Sequence, residues 1–530
     1  MAGDAVKEMM AALKKMEARY VRFELPDLHG TSRTKVIPVG KAESYARKGL
    51  NLYGGVVGLD SASNVIGGTG LNEEVSYRDQ LLFPDPATLR NVPWVEDTAK
   101  VICDAYWAPG EPLNATPRTV LANLLKRANK LGYDVMMGHE FEFYLLDPDT
   151  KEPLFGGVHI FNAVRNQYVP FLDVLLDALE EAGIDVITHN CEYSPSQFEI
   201  NFGPGIGLEG ADKAFTFKNA IKEMAHRSGY LATFMTKPAS DMAGCGCHVH
   251  VSLIDRKTGK NAFYTKGAKG GMNPLIRHFS NGLLDHAKAM QALINPTPNC
   301  YHRLKPHTFA PSNISWGVED RTAMVRIKDA GAENCHIEMR AASGLSNPYL
   351  SISAVIAAGL LGLEAKNDLP TPSDGPSEDD PKHKKLAGSL EDSLAALKKD
   401  RHAGHAGRRL REDLHRRETG RTRPLPQPRD RLGAQRVPRG VLSDAAVTPQ
   451  TPLSSRGLSV RHSHICFRHT SPVTPDKRAR ASAIRGPWQR RTPGVAKCDG
   501  GWRPRDRCRG RATGPSMGPG SRSLTLTWPG

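Results

Sequence analysis

Val135-Met-Met-Gly-His-Glu140-Phe-Glu142-Phe-Tyr-Leu-Leu146 is the stretch whose reading decides the fold. Side chains alternate between the two faces of a strand, so Glu140 and Glu142 share one face while Phe141 and Phe143 take the other. The same period recurs in Cys247-His248-Val-His250-Val-Ser252 and in His336-Ile-Glu338-Met-Arg340. A fourth segment, Glu192-Tyr-Ser-Pro-Ser-Gln-Phe-Glu199, adds two more carboxylates. Taken singly, each segment reads as the solvated face of an antiparallel sheet. Taken together, the polar faces hold Glu, Glu, His, His, Glu and Arg rather than the Lys and Thr of an outer face. Carboxylates and one or two histidines, with little sulfur, are hard donors that suit Mg²⁺ or Mn²⁺ better than a structural zinc. Several carboxylates around one pocket repel unless cations sit between them. Two or three metal ions there would also neutralise a transferring phosphoryl group. Arg303, Arg321, Arg326 and Arg340 follow in one short stretch, and guanidinium binds carboxylates and phosphates through paired hydrogen bonds.

Working outward, residues 1–400 read as strands alternating with amphipathic helices. Thr116-Pro117 opens a helix whose apolar positions run to Leu131 before Gly132, and Phe171 to Ala182 forms another, stopped by Gly183. The opening twenty residues carry charges throughout, which argues against a signal peptide. The longest apolar run, Ile352 to Leu363, falls short of the ~20 residues that cross a bilayer, so no membrane association is expected. Nine cysteines without a CxxC pair read as free thiols in a cytoplasmic protein.

From Arg401 the character changes. Residues 401–530 hold 28 Lys and Arg against 8 Asp and Glu, with 26 of the bases Arg, whereas residues 1–400 carry a net −5. This Arg, Pro, Gly and Ser-rich tail reads as disordered. It could be a basic arm for nucleic acid, an inert extension, or the product of GC-rich DNA read out of frame. The third reading is preferred, because the tail has neither aromatic interleaving nor RGG periodicity. Nucleic acid is therefore not expected as a partner.

With these blocks in hand, the chain resembles the glutamine synthetase superfamily in its class I-like branch, over roughly residues 15 to 395. The resemblance rests on Glu140-Phe-Glu142, Glu192 through Glu199 with Gln197, Gly244-Cys-Gly-Cys-His248-Val-His250-Val-Ser252, Asn299-Cys-Tyr-His-Arg303-Leu304, Arg321 with Arg326, and Glu338-Met-Arg340 followed by Asn347-Pro-Tyr349. It implies an α+β fold: an N-terminal β-grasp domain over 1–112 and a catalytic domain over 113–400, whose antiparallel strands form an open barrel with flanking helices. It also implies a homo-oligomer of stacked hexameric rings, with sites between neighbouring subunits. By the same resemblance, one metal would be held by Glu142, Glu192 and Glu199, and another by Glu140, His248 and Glu338. His250, Ser252, His336 and Arg326 would face ATP. Gly244, Arg303 and Arg340 would hold glutamate, and Arg321 and Arg326 would act on the phosphates. The implied reaction passes through γ-glutamyl phosphate, from which an amine displaces phosphate.

Two departures bear on the amine. Where ammonia-using members carry a Glu, this chain has Phe309, and Ala243 stands where they have Asn. A phenyl ring removes a base and cation site and adds apolar surface, which suits an organic amine. Ser315-Trp316-Gly317 also resembles members that ligate glutamate to organic amines, which would put Trp316 in the amine pocket. Alternatively, Phe309 merely packs and a neighbour takes over the missing role. By the same resemblance, Asp60 in Gly58-Leu-Asp60-Ser61 aligns with the family's ammonium-binding Asp and is the remaining candidate to accept the amine's proton. The rival readings are an ammonia-using glutamine synthetase and a non-catalytic structural relative. A nicotinamide site is also suggested by Gly205-Ile-Gly207-Leu-Glu-Gly210, a literal GxGxxG, but the next strand ends without an acidic ribose partner.

Overall fold

The computed structural model describes residues 3–400, apart from 158–159, 269–271 and 333; the tail from residue 401 lies outside the described residues. Two sheets dominate. The first follows helix α1 (Gly3–Lys15) and is built from β1 (Tyr20–Pro26), β2 (Ser32–Pro38), β3 (Leu50–Tyr53), β4 (Asp79–Pro84), β5 (Arg90–Asn91), β6 (Thr98–Ala108) and β7 (Glu111–Pro112). Its order is β2-β1-β6-β4-β3, with β5 and β7 also on β6. The β1–β6 pair is parallel and the others are antiparallel. Helix α2 (Val39–Lys48) buries Ala42 and Ala46 in this sheet's core.

Helix α3 (Pro117–Lys130) leads into the second sheet. Thr116 occupies its cap position, but the hydroxyl donates to the Leu113 carbonyl and to Thr119 rather than accepting from the helix. The long strand β8 (Tyr133–Leu146) is central and carries the decisive stretch. After it come α4 (Ala163–Asn166), α5 (Phe171–Glu181), β9 (Val186–Cys191), β10 (Gln197–Phe202), β11 (Gly205–Ile206), α6 (Leu208–Arg227), β12 (Leu231–Thr233) and β13 (Cys247–Asp255). Next are α7 (Pro274–Asp285), α8 (Ala287–Ile294), β14 (Trp316–Val318), β15 (Val325–Lys328), β16 (His336–Met339), α9 (Pro348–Ala365) and α10 (Leu390–Lys399). The strand order is β14-β15-β16-β13-β8-β10-β9, with β11 and β12 also on β8. The odd-face residues Phe141, Phe143, Val249, Val251, Ile337 and Met339 are fully buried in one core with α6, α7 and α9, which leaves the other face for chemistry.

The GxGxxG turn is a packing device. A Cβ on Gly205 would meet the Gly210 nitrogen at 2.5 Å, and one on Gly210 would meet the Met137 carbonyl oxygen at 2.7 Å. The glycines let β11 and the first turn of α6 approach each other and β8, and Glu199 on β10 lies just upstream. Helix α9 is apolar and long enough to cross a membrane by length and composition. It is longer than the apolar run within it suggests, and 72% of its apolar window is buried inside the protein, where it packs on α7 and α3.

The two sheets are joined through a buried guanidinium. Arg118 on α3 donates to Asp212 on α6, to Asp104 on β6 and to Asp85 after β4, while the Tyr349 hydroxyl also donates to Asp212. Burial opposes the charge, but the carboxylates around it, Asp212 first, raise the Arg118 pKa overall. This hub sets the N-terminal sheet against the helices that back the second one.

Candidate active site

Strand register turns the alternating patterns into a single site. His248 on β13 lies opposite Glu140 on β8, and His250 lies opposite Glu338 on β16. Arg326 on β15 also lies opposite Glu338, while Glu199 on β10 lies opposite Glu142 on β8. Same-face neighbours on paired strands stand ~5 Å apart, so five strands deliver their polar residues to one surface. That surface lines a cavity of about 830 Å³. Its walls include Glu140, Glu142, Glu192, Glu199, Gly244, His248, His250, Arg303, Phe309, Arg321, Arg326, His336, Glu338 and Arg340.

At one end, His248 Nδ1 lies 2.7 Å from Glu140 Oε1 and 3.4 Å from Glu338 Oε1. Arg326 donates to Glu338 Oε2 at 3.0 Å and Arg340 to Glu338 Oε1. Burial pushes the Glu338 carboxyl up, but Arg340 and His248 outweigh it and hold the group at about 2. Partial burial pushes the Glu140 carboxyl up as well, but His248 and His250 hold it well below its ordinary value. His250 Nδ1 sits 3.1 Å from His336 Nε2, and burial beside His250 drives His336 well below the usual imidazole range.

At the other end, Glu142, Glu192 and Glu199 crowd together. Glu142 accepts from the Gly246 N–H at 2.8 Å and from Gln197 at 3.3 Å. Glu192 accepts from Asn190, and Glu199 from Asn201. None of the three forms an ion pair among the described residues. Burial and the charge of Glu142 raise the Glu192 carboxyl to about 8, and burial with Glu140, Glu192 and Glu142 raises Glu199 well above its ordinary value.

Arg303 is fully buried and reaches the cavity through a glycine gap. A Cβ on Gly244 would meet Arg303 Cγ at 2.7 Å, and one on Gly246 would meet its Nη2 at 2.6 Å. The guanidinium donates to the carbonyls of Arg340 and Ala342 and has no ion pair among the described residues, and burial lowers its pKa. Phe309 is 69% exposed, has φ 58°, and lies 5.0 Å from the Tyr193 ring between centroids. A bulky residue in left-handed backbone is strained.

Three expected site residues lie elsewhere. Ser252 is on the same face as His248 and His250, but it pairs opposite Met136, past the cavity, and its buried hydroxyl donates to Asn261 and to the Cys335 carbonyl. Trp316 is buried in the core, its indole N–H donating to the Pro370 carbonyl. Asp60 folds back on its own loop, accepting from Ala62 N, Asn64 N and Asn64 Nδ2. Within one chain it does not line the cavity. Conversely, Tyr193, His307 and Glu378 line the cavity without having been expected there. Tyr193 could have been picked out by its place directly after Glu192. Glu378 sits in a Pro, Ser and Asp-rich loop that carries no pattern.

Residues 114–414 match the family described as glutamine synthetase, catalytic domain. A glutamine synthetase from Thermotoga maritima is 34% identical over 412 residues, covering 74% of this chain and 90% of the relative. The chain belongs to the glutamine synthetase family. It is accordingly an ATP-dependent ligase that forms C–N bonds. A glutamate–isopropylamine ligase from Pseudomonas sp. is 33% identical, covering 65% of this chain and 78% of the relative. A solved GmaS–ADP complex is 28% identical, with TM-score 0.69, covering 77% of this chain and 94% of that one.

Members of the family use divalent metals, and the donor set here fits them. Ligand atoms of Glu140, His248 and Glu338 all lie within 4.8 Å of one another. The second set consists of three crowded carboxylates without an ion pair among the described residues, an arrangement that bound cations relieve. Oxygen-rich donors of this kind are suited to Mg²⁺ or Mn²⁺.

Proposed function

We propose that this ligase joins the side-chain carboxylate of glutamate to an organic amine through γ-glutamyl phosphate. The observation that carries the reading is Phe309, an exposed ring on the cavity wall braced by Tyr193. It lies where an ammonia site would call for a carboxylate, and it offers apolar surface to an amine's substituent. The name of the Pseudomonas relative, a glutamate–isopropylamine ligase, supports this direction.

In this reading two or three Mg²⁺ or Mn²⁺ ions, held by Glu142, Glu192 and Glu199 and by Glu140, His248 and Glu338, would neutralise phosphate charge. Arg303, together with Arg340 and the Gly244 backbone, clamps glutamate; a buried guanidinium without a carboxylate partner among the described residues is prepared to receive one. Arg321 and Arg326 stabilise charge on the transferring phosphoryl group, and His250 and His336 border ATP. The glutamate carboxylate attacks ATP, and the amine then displaces phosphate. Phe309 and Tyr193 exclude water from the acyl phosphate while the amine binds.

The domain boundary is placed near residue 112. The enzyme is read as cytoplasmic, in keeping with its buried free thiols Cys103, Cys245, Cys247, Cys300 and Cys335. It is further read as a stacked hexameric ring, in which Asp60 would serve a site only across a subunit boundary. Native mass measurement tests the assembly. A second reading, synthesis of glutamine from ammonia, is favoured by the relatives named glutamine synthetase. Supplying glutamate, ATP and Mg²⁺ with a panel of alkyl and aryl amines and measuring phosphate release separates the two. Turnover with ammonia alone would overturn the organic-amine reading.

A further inference from the structure

An amine is largely protonated at neutral pH, so the ligase must hold an ammonium and take a proton from it before the nitrogen can attack. Six carboxylates line the cavity: Glu140, Glu142, Glu192, Glu199, Glu338 and Glu378. The first five belong to the two crowded sets already described. Phe309 carries no charge, and Asp60 is turned to its own loop in this chain. Among the described residues of one chain, Glu378 is the cavity carboxylate left over.

Its placement is built, not incidental. Oε2 accepts from the His307 backbone N–H at 2.9 Å, two residues before Phe309, and the His307 ring lies 3.7 Å from Oε1. The main chain behind it is pinned by the buried Asn313, whose Nδ2 donates to the carbonyls of Ser377 at 2.9 Å and Glu378 at 3.2 Å. The Ser377 hydroxyl donates to Asp320 at 2.5 Å, next to cavity-lining Arg321. Both His307 and Phe309 hold positive φ, 59° and 58°, so the loop that presents the apolar wall is strained into place against this carboxylate. The apolar ring and the carboxylate therefore reach the cavity from one anchored unit.

We infer that Glu378 is the catalytic residue that binds the amine as ammonium and accepts its proton, with His307 relaying that proton to solvent. This rests on the ligase reading of the same cavity, in which an amine is the second substrate. The ammonium gives one proton to the Glu378 carboxylate. The freed lone pair forms the C–N bond at the γ-carbon, and the C–O bond to phosphate breaks with its electron pair on the departing phosphate. The second nitrogen proton leaves with the phosphate or to water. Phe309 disfavours the charged form of the amine beside it, which assists the transfer.

The test compares wild type with Glu378→Gln and Glu378→Ala. The Gln variant keeps the acceptor for His307 N–H but cannot carry charge. With an alkylamine, kcat/KM for the amine should fall on the order of a hundredfold, with the KM values for ATP and glutamate within about twofold of wild type. With hydroxylamine, which is mostly unprotonated at neutral pH, the loss should be several-fold smaller. The pH–rate profile should shift so that the variant regains activity with alkylamine at alkaline pH. Wild-type amine kinetics in Glu378→Gln would overturn the assignment, as would an equal loss with hydroxylamine, the mark of a merely structural role. A wild-type enzyme inert with every amine and with ammonia would instead sink the reading on which the assignment rests.

Discussion

The two ends of the cavity are made of the same side chain and behave in opposite ways. Around Glu140 and Glu338 the protein supplies its own partners, the His248 imidazole and the guanidinium groups of Arg326 and Arg340, and the carboxyl groups stay ionised despite burial. Around Glu142, Glu192 and Glu199 the described residues supply only amides and main-chain N–H groups, and Glu192 and Glu199 resist ionisation. Burial is similar, so the difference lies in the counter-charge. One end is kept ionised by the fold itself, ready to ligate a cation, whereas the other ionises readily only when charge arrives from outside.

The contrast is broken most sharply by removing one carboxylate from each end. Glu338→Ala leaves the buried Arg340 without its carboxylate and Arg326 with Glu319 alone, a change of the kind that costs roughly 3–5 kcal/mol, and it should abolish ligase turnover. Glu192→Gln removes a repelled charge, so it should raise the melting temperature of the metal-free protein while still lowering turnover. Thermal denaturation of the two variants in chelator checks both signs. A loss of stability in both would mean that the ends are alike.

A smaller effect sharpens the same point through pH. Unfolded, Glu192 loses its proton near its ordinary value of 4.5; folded, it keeps it to about 8. Over that window the folded state holds the extra proton. The stability tied to this group is therefore fully present below pH 4.5 and is lost as pH rises through about 8. Metal-free protein should thus melt at progressively lower temperature across that range, by roughly 1–3 kcal/mol in all once partial solvation is allowed for. Added Mg²⁺ or Mn²⁺ should flatten the slope by holding the ionised form, and Glu192→Gln should flatten it without metal. A slope unchanged by metal would remove the outside-charge account of this end.

Phe309→Glu tests whether that unsupported end also faces the amine, since the Phe309 ring rests on Tyr193, the residue after Glu192. A carboxylate there should move preference from alkylamine toward ammonia by about tenfold to a hundredfold in relative kcat/KM, read from paired amine competition. Unchanged preference would take Phe309 out of the specificity argument.

Much of this site was legible in the sequence because strands write their two faces at period two. Glu140, Glu142, His248, His250 and Glu338 could all be placed on one polar face without a structure. Period alone does not say how far along a strand the cavity extends. Ser252 shares the face of His248 yet pairs opposite Met136, beyond the cavity. Trp316 was misplaced because an indole reads equally as pocket wall and core, and here its N–H finds the Pro370 carbonyl. Glu378 was invisible for a different reason: its position depends on Asn313 and Asp320, far away in sequence, holding a loop with no periodicity. The GxGxxG turn carried a true steric signal, close approach of backbones, but was open to two explanations until the contact between Gly205 and Gly210 was seen.

The smallest effect belongs to Tyr193, which is half exposed and touches the amine's path mainly by bracing Phe309. Truncating it to Ala removes one aromatic pair, worth ~0.5–1.5 kcal/mol, and frees Phe309 to leave its strained φ of 58°. KM for a bulky alkylamine should rise by a few-fold to about tenfold, with kcat, ATP affinity and ammonia kinetics little changed. Because Glu192 accepts from the Tyr193 main-chain N–H, 3.3 Å away, and not from its side chain, the substitution leaves the crowded carboxylates in place. The pH slope of metal-free stability should therefore survive in Tyr193→Ala. If that slope vanished along with amine selectivity, the apolar wall and the carboxylate cluster would be one coupled unit rather than two neighbours.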